Sequence, residues 1–240
     1  MKSFAKRDTT PELMDTESVD YEFFRDCLIQ LTQANELSLA YRPTLAFLSR
    51  LARQNRFPKD RPLTVIDAGS GYGDMGRKLD RWAQKRCLKI QITGVDMNPW
   101  AARAAAEATG KDRPLCWITA DLFDYETSGT DVVICSLFAH HLPDLAVPRF
   151  IKWMDQTART GWFINDLRRH PIPYYFLRVA FWSTRRHRFM RHDGPVSVAS
   201  AFTKRDWLHY LTEADIPGSA ARIEAWAPYR LCVSRVKTPK

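Results

Sequence analysis

Between Val65 and Gly73 the chain reads VIDAGSGYG: a short apolar run, an aspartate, then glycines at three alternate positions. No other stretch constrains the fold as strongly. An apolar run of this length reads as a buried strand, and glycine directly after it lets the backbone turn sharply and lie against a ligand. Weaker versions of the unit follow. Apolar runs at Leu63–Asp67, Leu88–Asp96, Leu115–Ala120, Asp131–Ser136 and Gly161–Asn165 alternate with helical patterns at Asp74–Lys85, from Pro99 onward, and at Ala146–Ala158. Such alternation predicts an α/β fold, a mainly parallel sheet with helices on both faces and ligands at the carboxyl ends of its strands.

The flanks depart from this rhythm. Residues 1–15 show no periodicity and read as loose, while Val19–Ala34 and Ser38–Arg53 read as two amphipathic helices before a polar linker from Gln54 to Pro62. The expected division is an N-terminal helical lid over 1–58 and a main domain over 59–240. After Asn165 the alternation breaks into an arginine- and aromatic-rich insertion around 166–202, which reads as a cap. Thr203 is placed to N-cap a helix over Thr203–Ala214. Arg222–Trp226 and Tyr229–Val236 then read as an antiparallel strand pair turning at Ala227-Pro228.

Hydrophobic residues make up 45% of the chain, enough for a full core. The net charge is 36 − 27 = +9. The excess is local: Arg168, Arg169, Arg178, Arg185, Arg186, Arg188 and Arg191 fall in one stretch without an acid between them. The five cysteines are scattered and hold no C-x-x-C pair, which suits a reducing cytoplasm. No apolar stretch is long enough to span a bilayer, and the first residues carry no signal-peptide core.

The ligand of the glycine turn follows from charge. A nicotinamide fingerprint needs a third small residue where this chain has Asp74, and a carboxylate there repels a pyrophosphate. Asp67 further favours a ligand that carries a cation. Taken with D-A-G-S-G-Y-G at 67–73, G-V-D-M at 94–97, A-D-L at 120–122 and S-L-F-A-H-H-L at 136–142, the chain resembles the class I S-adenosylmethionine-dependent methyltransferases over roughly residues 60–167 and the final strand pair. The resemblance implies a Rossmann-like seven-stranded sheet and S-adenosylmethionine as cofactor. It further implies that Asp67 with the backbone of Gly69, Gly71 and Gly73 holds the methionine end, and that Asp96 takes the ribose hydroxyls. Met97 and Leu122 would pack on the adenine, Asp121 accept its amino group, and Ser136 line the floor under the sulfonium. Structural roles compete: Asp96 as a helix N-cap before Pro99, Asp121 as a turn residue. Arg42 reads as a surface arginine rather than a partner for the cofactor carboxylate.

Methyl transfer leaves the enzyme to align a nucleophile and remove its proton. The fourth strand's exit lacks the Asn/Asp-Pro-Pro-aromatic motif of many amino-group methyltransferases. No acid follows that strand before Asp144, so no metal is expected. What remains is His140-His141, with His140 as the expected base, His141 as its neighbour and Asp166 behind the imidazole. The expected reaction is O-methylation of a small phenolic, quinone or polyketide-like molecule, similar to bacterial methyltransferases of secondary metabolism. Tyr175, Trp182 and His192 are the expected substrate contacts in the cap. The basic helix allows contact with an anionic membrane. An RNA-directed methyltransferase and a non-catalytic cofactor-binding regulator are the competing classes; no recognisable RNA-binding module supports the first, and the nucleic-acid reading is disfavoured.

Overall fold

The computed structural model describes residues 3–127, 129–183 and 188–238. The apolar runs pair as strands β1 (Leu63–Ala68), β2 (Ile90–Asp96), β3 (Leu115–Thr119), β4 (Thr130–Ser136), β5 (Ala158–Leu167), β6 (Arg222–Trp226) and β7 (Arg230–Val236). They form one sheet in the order β3-β2-β1-β4-β5-β7-β6, parallel except for β7, which runs against both of its neighbours. The C-terminal pair is therefore antiparallel as expected, with the last strand inserted inside the sheet and β6 at its edge.

The period-two alternation of the central strands separates two apolar layers. From β4, Val133 and Cys135 face α6 (Ala146–Thr157) and α9 (Lys204–Glu213), in a core that also holds Trp162 and Trp207. Val132 and Ile134 face the opposite layer, where Phe47, Leu48 and Leu51 of α3 (Arg42–Arg53) meet Leu79 and Trp82 of α4 (Asp74–Gln84). The Phe47 ring stacks on Phe163 of β5 at 4.8 Å. Fully burying a side chain of this kind contributes about 1.5–3 kcal/mol, so α3 is a layer of the sandwich. Within residues 1–58, α3 thus packs on the sheet itself. The remaining N-terminal helices, α1 (Leu13–Thr16) and α2 (Tyr21–Leu37), lie elsewhere, and α2 packs Tyr21, Phe24 and Leu28 against α5 (Pro99–Glu107).

The first residues are not loose either. The Arg7 guanidinium donates to the carbonyls of Ser200, His140 and Leu142 and pairs with Asp144 at 2.6 Å. The Asp8 N–H donates to Ala199 O, and the N–H groups of Leu13 and Met14 donate to the buried Asp193 carboxylate. These anchors are polar and distant in sequence, so no local periodicity announces them.

The insertion folds as α7 (Pro171–Ser183) packed on α8 (Arg188–Ser200). Its arginines do not form one solvated patch. Arg169 is buried and satisfied by the carbonyls of Phe4 and Ala201 and by Asp206, whereas Arg168, Arg178 and Arg191 are exposed. Arg185 and Arg186 lie outside the described residues. Thr203 caps α9 through a reciprocal box with Asp206.

Candidate functional site

Because β1, β2, β4 and β5 are parallel, the residues that end them share one edge of the sheet. Asp67 is 1% exposed, and neither of its carboxylate oxygens has a hydrogen-bond partner among the described residues. Burial first, then the charges of Asp74 and Asp96, hold its carboxyl well above the usual range. A buried carboxylate without a donor is costly unless a cation meets it. Directly after it, Gly69, Gly71 and Gly73 all take positive φ. A Cβ at Gly69 would overlap the Phe138 ring at 2.3 Å, but at Gly71 (φ +50°) it would meet nothing within 4 Å. Open space therefore lies over the backbone at Gly71.

Asp96 is placed beside that turn. Its carboxylate accepts the N–H groups of Gly71, 2.8 Å away, and Asn98, 2.9 Å away. Burial raises its pKa against the pull of those two donors. Asn98, not Asp96, caps α5, through Trp100 N–H. Asp121 is exposed and accepts Phe123 N–H at 2.8 Å, the turn arrangement. Leu122 is buried, and Met97 is 74% exposed beyond the end of β2. Ser136 lines the same small pocket as Asp67, with its hydroxyl 3.4 Å from that of Thr44.

Arg42 is exposed. The arginine at the site is Arg230, which sequence reasoning missed. It opens β7, is 3% exposed, and leaves Nη1 without a partner while Nη2 donates to Ser38 Oγ at 3.3 Å. It lines both the pocket beside Asp67 and a larger neighbouring cavity. Its only sequence signal is an arginine starting a strand pattern, which is not distinctive.

That larger cavity has a volume of about 450 Å³. Its walls are mostly apolar: Leu31 and Ala34 from α2, Leu177 and Phe181 from α7, Phe189 and Met190 from α8. Polar side chains reach it from Glu12, His140, His141, Asp193 and Arg230. A mostly apolar cleft with a few convergent polar groups is the ordinary form of a small-molecule site.

The expected histidine–carboxylate pair is present. His140 Nδ1 lies 2.7 Å from Asp166 Oδ1, and Asp166 also accepts the backbone N–H of His140 at 3.1 Å. Both residues are buried. A third member was not expected: Glu12, whose Oε1 lies 3.6 Å from His140 Nε2 and accepts the Ser197 hydroxyl at 2.6 Å. Burial pulls the His140 pKa down, but the Asp166 charge and hydrogen bond, with Glu12, push it up to about 10. Burial likewise opposes the charged form of Glu12, and the two histidines outweigh it, lowering that carboxyl to about 2. His140 therefore carries its proton at neutral pH while Glu12 is docked. His141 stands beside it, with Nδ1 2.7 Å from Asp15.

The expected cap contacts stand outside the cavity lining. Tyr175 and Trp182 do not line the cavity; they are 38% and 75% exposed on the outer side of α7. His192 is turned to Asp193, 2.8 Å away, and does not line the cavity either. The apolar residues of α7 run all round the helix, so periodicity cannot choose its inward face.

This arrangement, a seven-stranded β3-β2-β1-β4-β5-β7-β6 sheet with an acid and glycine turn at the end of β1, is that of a methyltransferase. A family model described as a methyltransferase domain matches residues 36–213, and the chain belongs to that family. No curated protein matches the sequence. Among solved structures, the plantazolicin methyltransferase BpumL in complex with SAH is similar at 13% identity and TM-score 0.62, over 94% of this chain and 96% of that one. Magnesium protoporphyrin IX methyltransferase from Synechocystis PCC 6803 with bound SAM is similar at 15% identity and TM-score 0.54, over 94% and 88%. The CMeT domain of the citrinin polyketide synthase is similar at 10% identity and TM-score 0.60, over 83% and 52%.

Proposed function

We propose that the protein transfers a methyl group from S-adenosylmethionine to an oxygen of a small, flat, largely apolar molecule held in the 450 Å³ cavity. The observation that carries the cofactor assignment is the orphaned Asp67 carboxylate beside the open backbone of Gly71. Asp67 takes the ammonium of the methionine end and Arg230 its carboxylate, so a zwitterion satisfies both buried, unpaired charges. Asp96 keeps lone pairs for the ribose hydroxyls, Leu122 and Met97 flank the adenine, Asp121 accepts its amino group, and Ser136 lies under the sulfur. S-adenosylmethionine supplies a methyl on a sulfonium: the acceptor oxygen, its proton given to water at the cavity mouth, gains the methyl, and the C–S electron pair returns to sulfur.

The acceptor oxygen sits at the polar end formed by His140, His141 and Glu12. The positive charge on His140 favours an oxygen that has given up its proton, and Asp166 fixes the imidazole that bears it. A phenol suits this end because its pKa, about 10, matches that of the His140 pair. Nothing in the cavity favours RNA: its lining is apolar, and Arg169, counted among the basic residues, is internal. The outer face of α7 presents Val179 and Trp182 beside Arg178, a surface suited to an anionic membrane from which a lipid-like acceptor would be drawn.

The test is methyl transfer from labelled S-adenosylmethionine to a panel of phenols, quinols and RNA. Label on a phenolic oxygen supports the reading. Label on RNA alone, or cofactor binding without turnover on any acceptor, overturns it in favour of the other two classes.

A further inference from the structure

Glu12, His140 and His141 offer three ligand atoms that all lie within 4.8 Å of one another. His140 Nε2 is 3.6 Å from Glu12 Oε1, and His141 Nε2 is 4.0 Å from Glu12 Oε2. We propose that these three side chains bind a divalent transition-metal cation, zinc by preference, on the wall of the acceptor cavity. A tetrahedral site with ligand bonds near 2.0–2.2 Å places its donors roughly 3.3–3.6 Å apart, so the cluster closes on an ion by shifts of a few tenths of an ångström to about one ångström.

The supporting shell separates this cluster from a chance grouping. Metal-bound histidines characteristically donate their second ring N–H to a carboxylate, which fixes tautomer and orientation. Both histidines here do so: Asp166 on His140 Nδ1 and Asp15 on His141 Nδ1, each at 2.7 Å. That leaves both Nε2 atoms directed toward one carboxylate, itself held by the Ser197 hydroxyl. The two rings lie 4.4 Å apart and 33° from parallel. The donor set of two imidazoles and one carboxylate is that of catalytic zinc sites, which keep a position open. All three residues line the cavity, so the open position faces the acceptor.

This deepens the proposed function, with the bound cation taking the place of the His140 proton as the positive charge at the acceptor, and rests on it for one point, the acceptor's chemistry. A hydroxyl oxygen held on the cation loses its proton to water at the cavity mouth, leaving an oxygen anion in the methyl-accepting position. The substrate class is then a phenol or enol able to bind a metal. The expected absence of a metal rested on acids after the fourth strand; here the carboxylate arrives from residue 12.

The experiment is titration of chelator-treated full-length protein with Co²⁺, read by its visible absorption, and with Zn²⁺ by calorimetry. One ion per chain is expected, with the absorption of a low-symmetry four- or five-coordinate site. His141→Ala and Glu12→Gln should abolish the stoichiometric binding. Asp15→Asn, at an exposed carboxylate that touches no ion, should weaken it about 10–100-fold. His140→Ala is avoided as the sole test because it strands the buried Asp166. No stoichiometric ion in the wild type, or one retained at full affinity in both His141→Ala and Glu12→Gln, overturns the site. Failure of the two readings is distinguishable. Full phenol methylation by the chelator-treated enzyme defeats the cation and leaves the methyl-transfer reading standing. An ion bound by the wild type and lost in both variants, with no oxygen methylated, does the reverse.

Discussion

At the cofactor end, Gly71 and Asp96 meet across 25 residues, and Asp67 lies on β1 directly before the same turn. At the acceptor end, Leu13 meets Asp193 across 180 residues, and Glu12 meets His140 from a segment without regular structure for most of its length. The first half is made by consecutive strand–turn units whose geometry is local. The second is made by distant segments that meet only when the whole chain has folded. The cofactor half is also short of partners among the described residues, since Asp67 and Arg230 keep unpaired polar atoms, whereas the acceptor half holds both histidines in hydrogen bonds to carboxylates. One half is left short of partners that a zwitterion can supply; the other pairs its polar groups with one another.

The largest expected effect breaks the acceptor half. His140→Ala should lower kcat by about 10²–10³-fold and leave cofactor affinity, measured by calorimetry, within about twofold of the wild type. Because Asp166 then loses its buried partner, the same variant should lose roughly 3–5 kcal/mol of stability. His140→Ala with Asp166→Asn should recover part of that stability and none of the rate. Equal loss of cofactor affinity and rate would show that the two halves are not separable.

Next is the opposite half. Asp67→Asn removes a buried carboxyl with no hydrogen-bond partner among the described residues, so the cofactor-free protein should melt higher while S-adenosylmethionine binds about 10–100-fold more weakly, as the loss of one charge-assisted hydrogen bond of about 1.5–3 kcal/mol predicts. The sign follows from its raised pKa. A carboxyl raised in the fold stabilises the folded state while protonated, and that contribution disappears as pH rises from its unfolded value of 3.8 through the folded one. Asp67→Asn should flatten this part of the pH–stability curve. A lower melting temperature in the cofactor-free variant would mean that Asp67 is structural.

The same contrast explains what was legible in the sequence. The strand edges, the glycine turn and the His140–Asp166 pair lie in or directly after periodic segments, and their positions follow from strand order. Thr203 was legible for the same reason. Glu12 and Arg230 were not, because nothing within a few residues of either distinguishes them from surface charges; burial, supplied by packing, makes them functional candidates. The burial of Arg169 was not legible either: apart from Asp206 its partners are backbone carbonyls, which leave no trace in a sequence. On α7 nothing in the sequence marked Tyr175 and Trp182 as lying outside the cavity lining.

A smaller effect concerns how the acceptor half closes. With chelator present, the Glu12–His140 contact contributes through two shifted groups. His140, raised from 6.5 to about 10, contributes fully below pH 6.5 and loses the contribution as pH rises through about 10. Glu12, lowered from 4.5 to about 2, contributes above pH 4.5 and loses it as pH falls through about 2. The N-terminal segment should therefore be held most firmly between about pH 4.5 and 6.5, read as amide-exchange protection at Leu13 and Met14. Glu12→Gln should remove the alkaline part of the dependence that belongs to Glu12 and leave the part due to Asp166. An unchanged protection profile in that variant would assign the closure to Arg7 and Asp193 alone.

The smallest effect sharpens the comparison within a single helix. Leu177 and Phe181 face the cavity, while Trp182 is 75% and Val179 66% exposed on the other side of α7. Truncating an inward residue opens the apolar wall. Leu177→Ala should thus raise the acceptor KM, by up to about 10- to 100-fold for a residue whose full burial is worth about 1.5–3 kcal/mol, with cofactor affinity unchanged. Trp182→Ala touches no wall and should leave the KM for a water-soluble phenol within about twofold. Exposed apolar side chains on a helix bearing arginine fit an anionic interface, so the same variant should lose binding to phosphatidylglycerol vesicles, with Val179→Ala losing less. The two substitutions therefore have opposite signatures: Leu177 is read by substrate kinetics, Trp182 by vesicle sedimentation. If Trp182→Ala raises the KM for a soluble acceptor as much as Leu177→Ala does, the outer face of α7 turns inward when substrate binds, and the division of this helix into a wall and a surface fails.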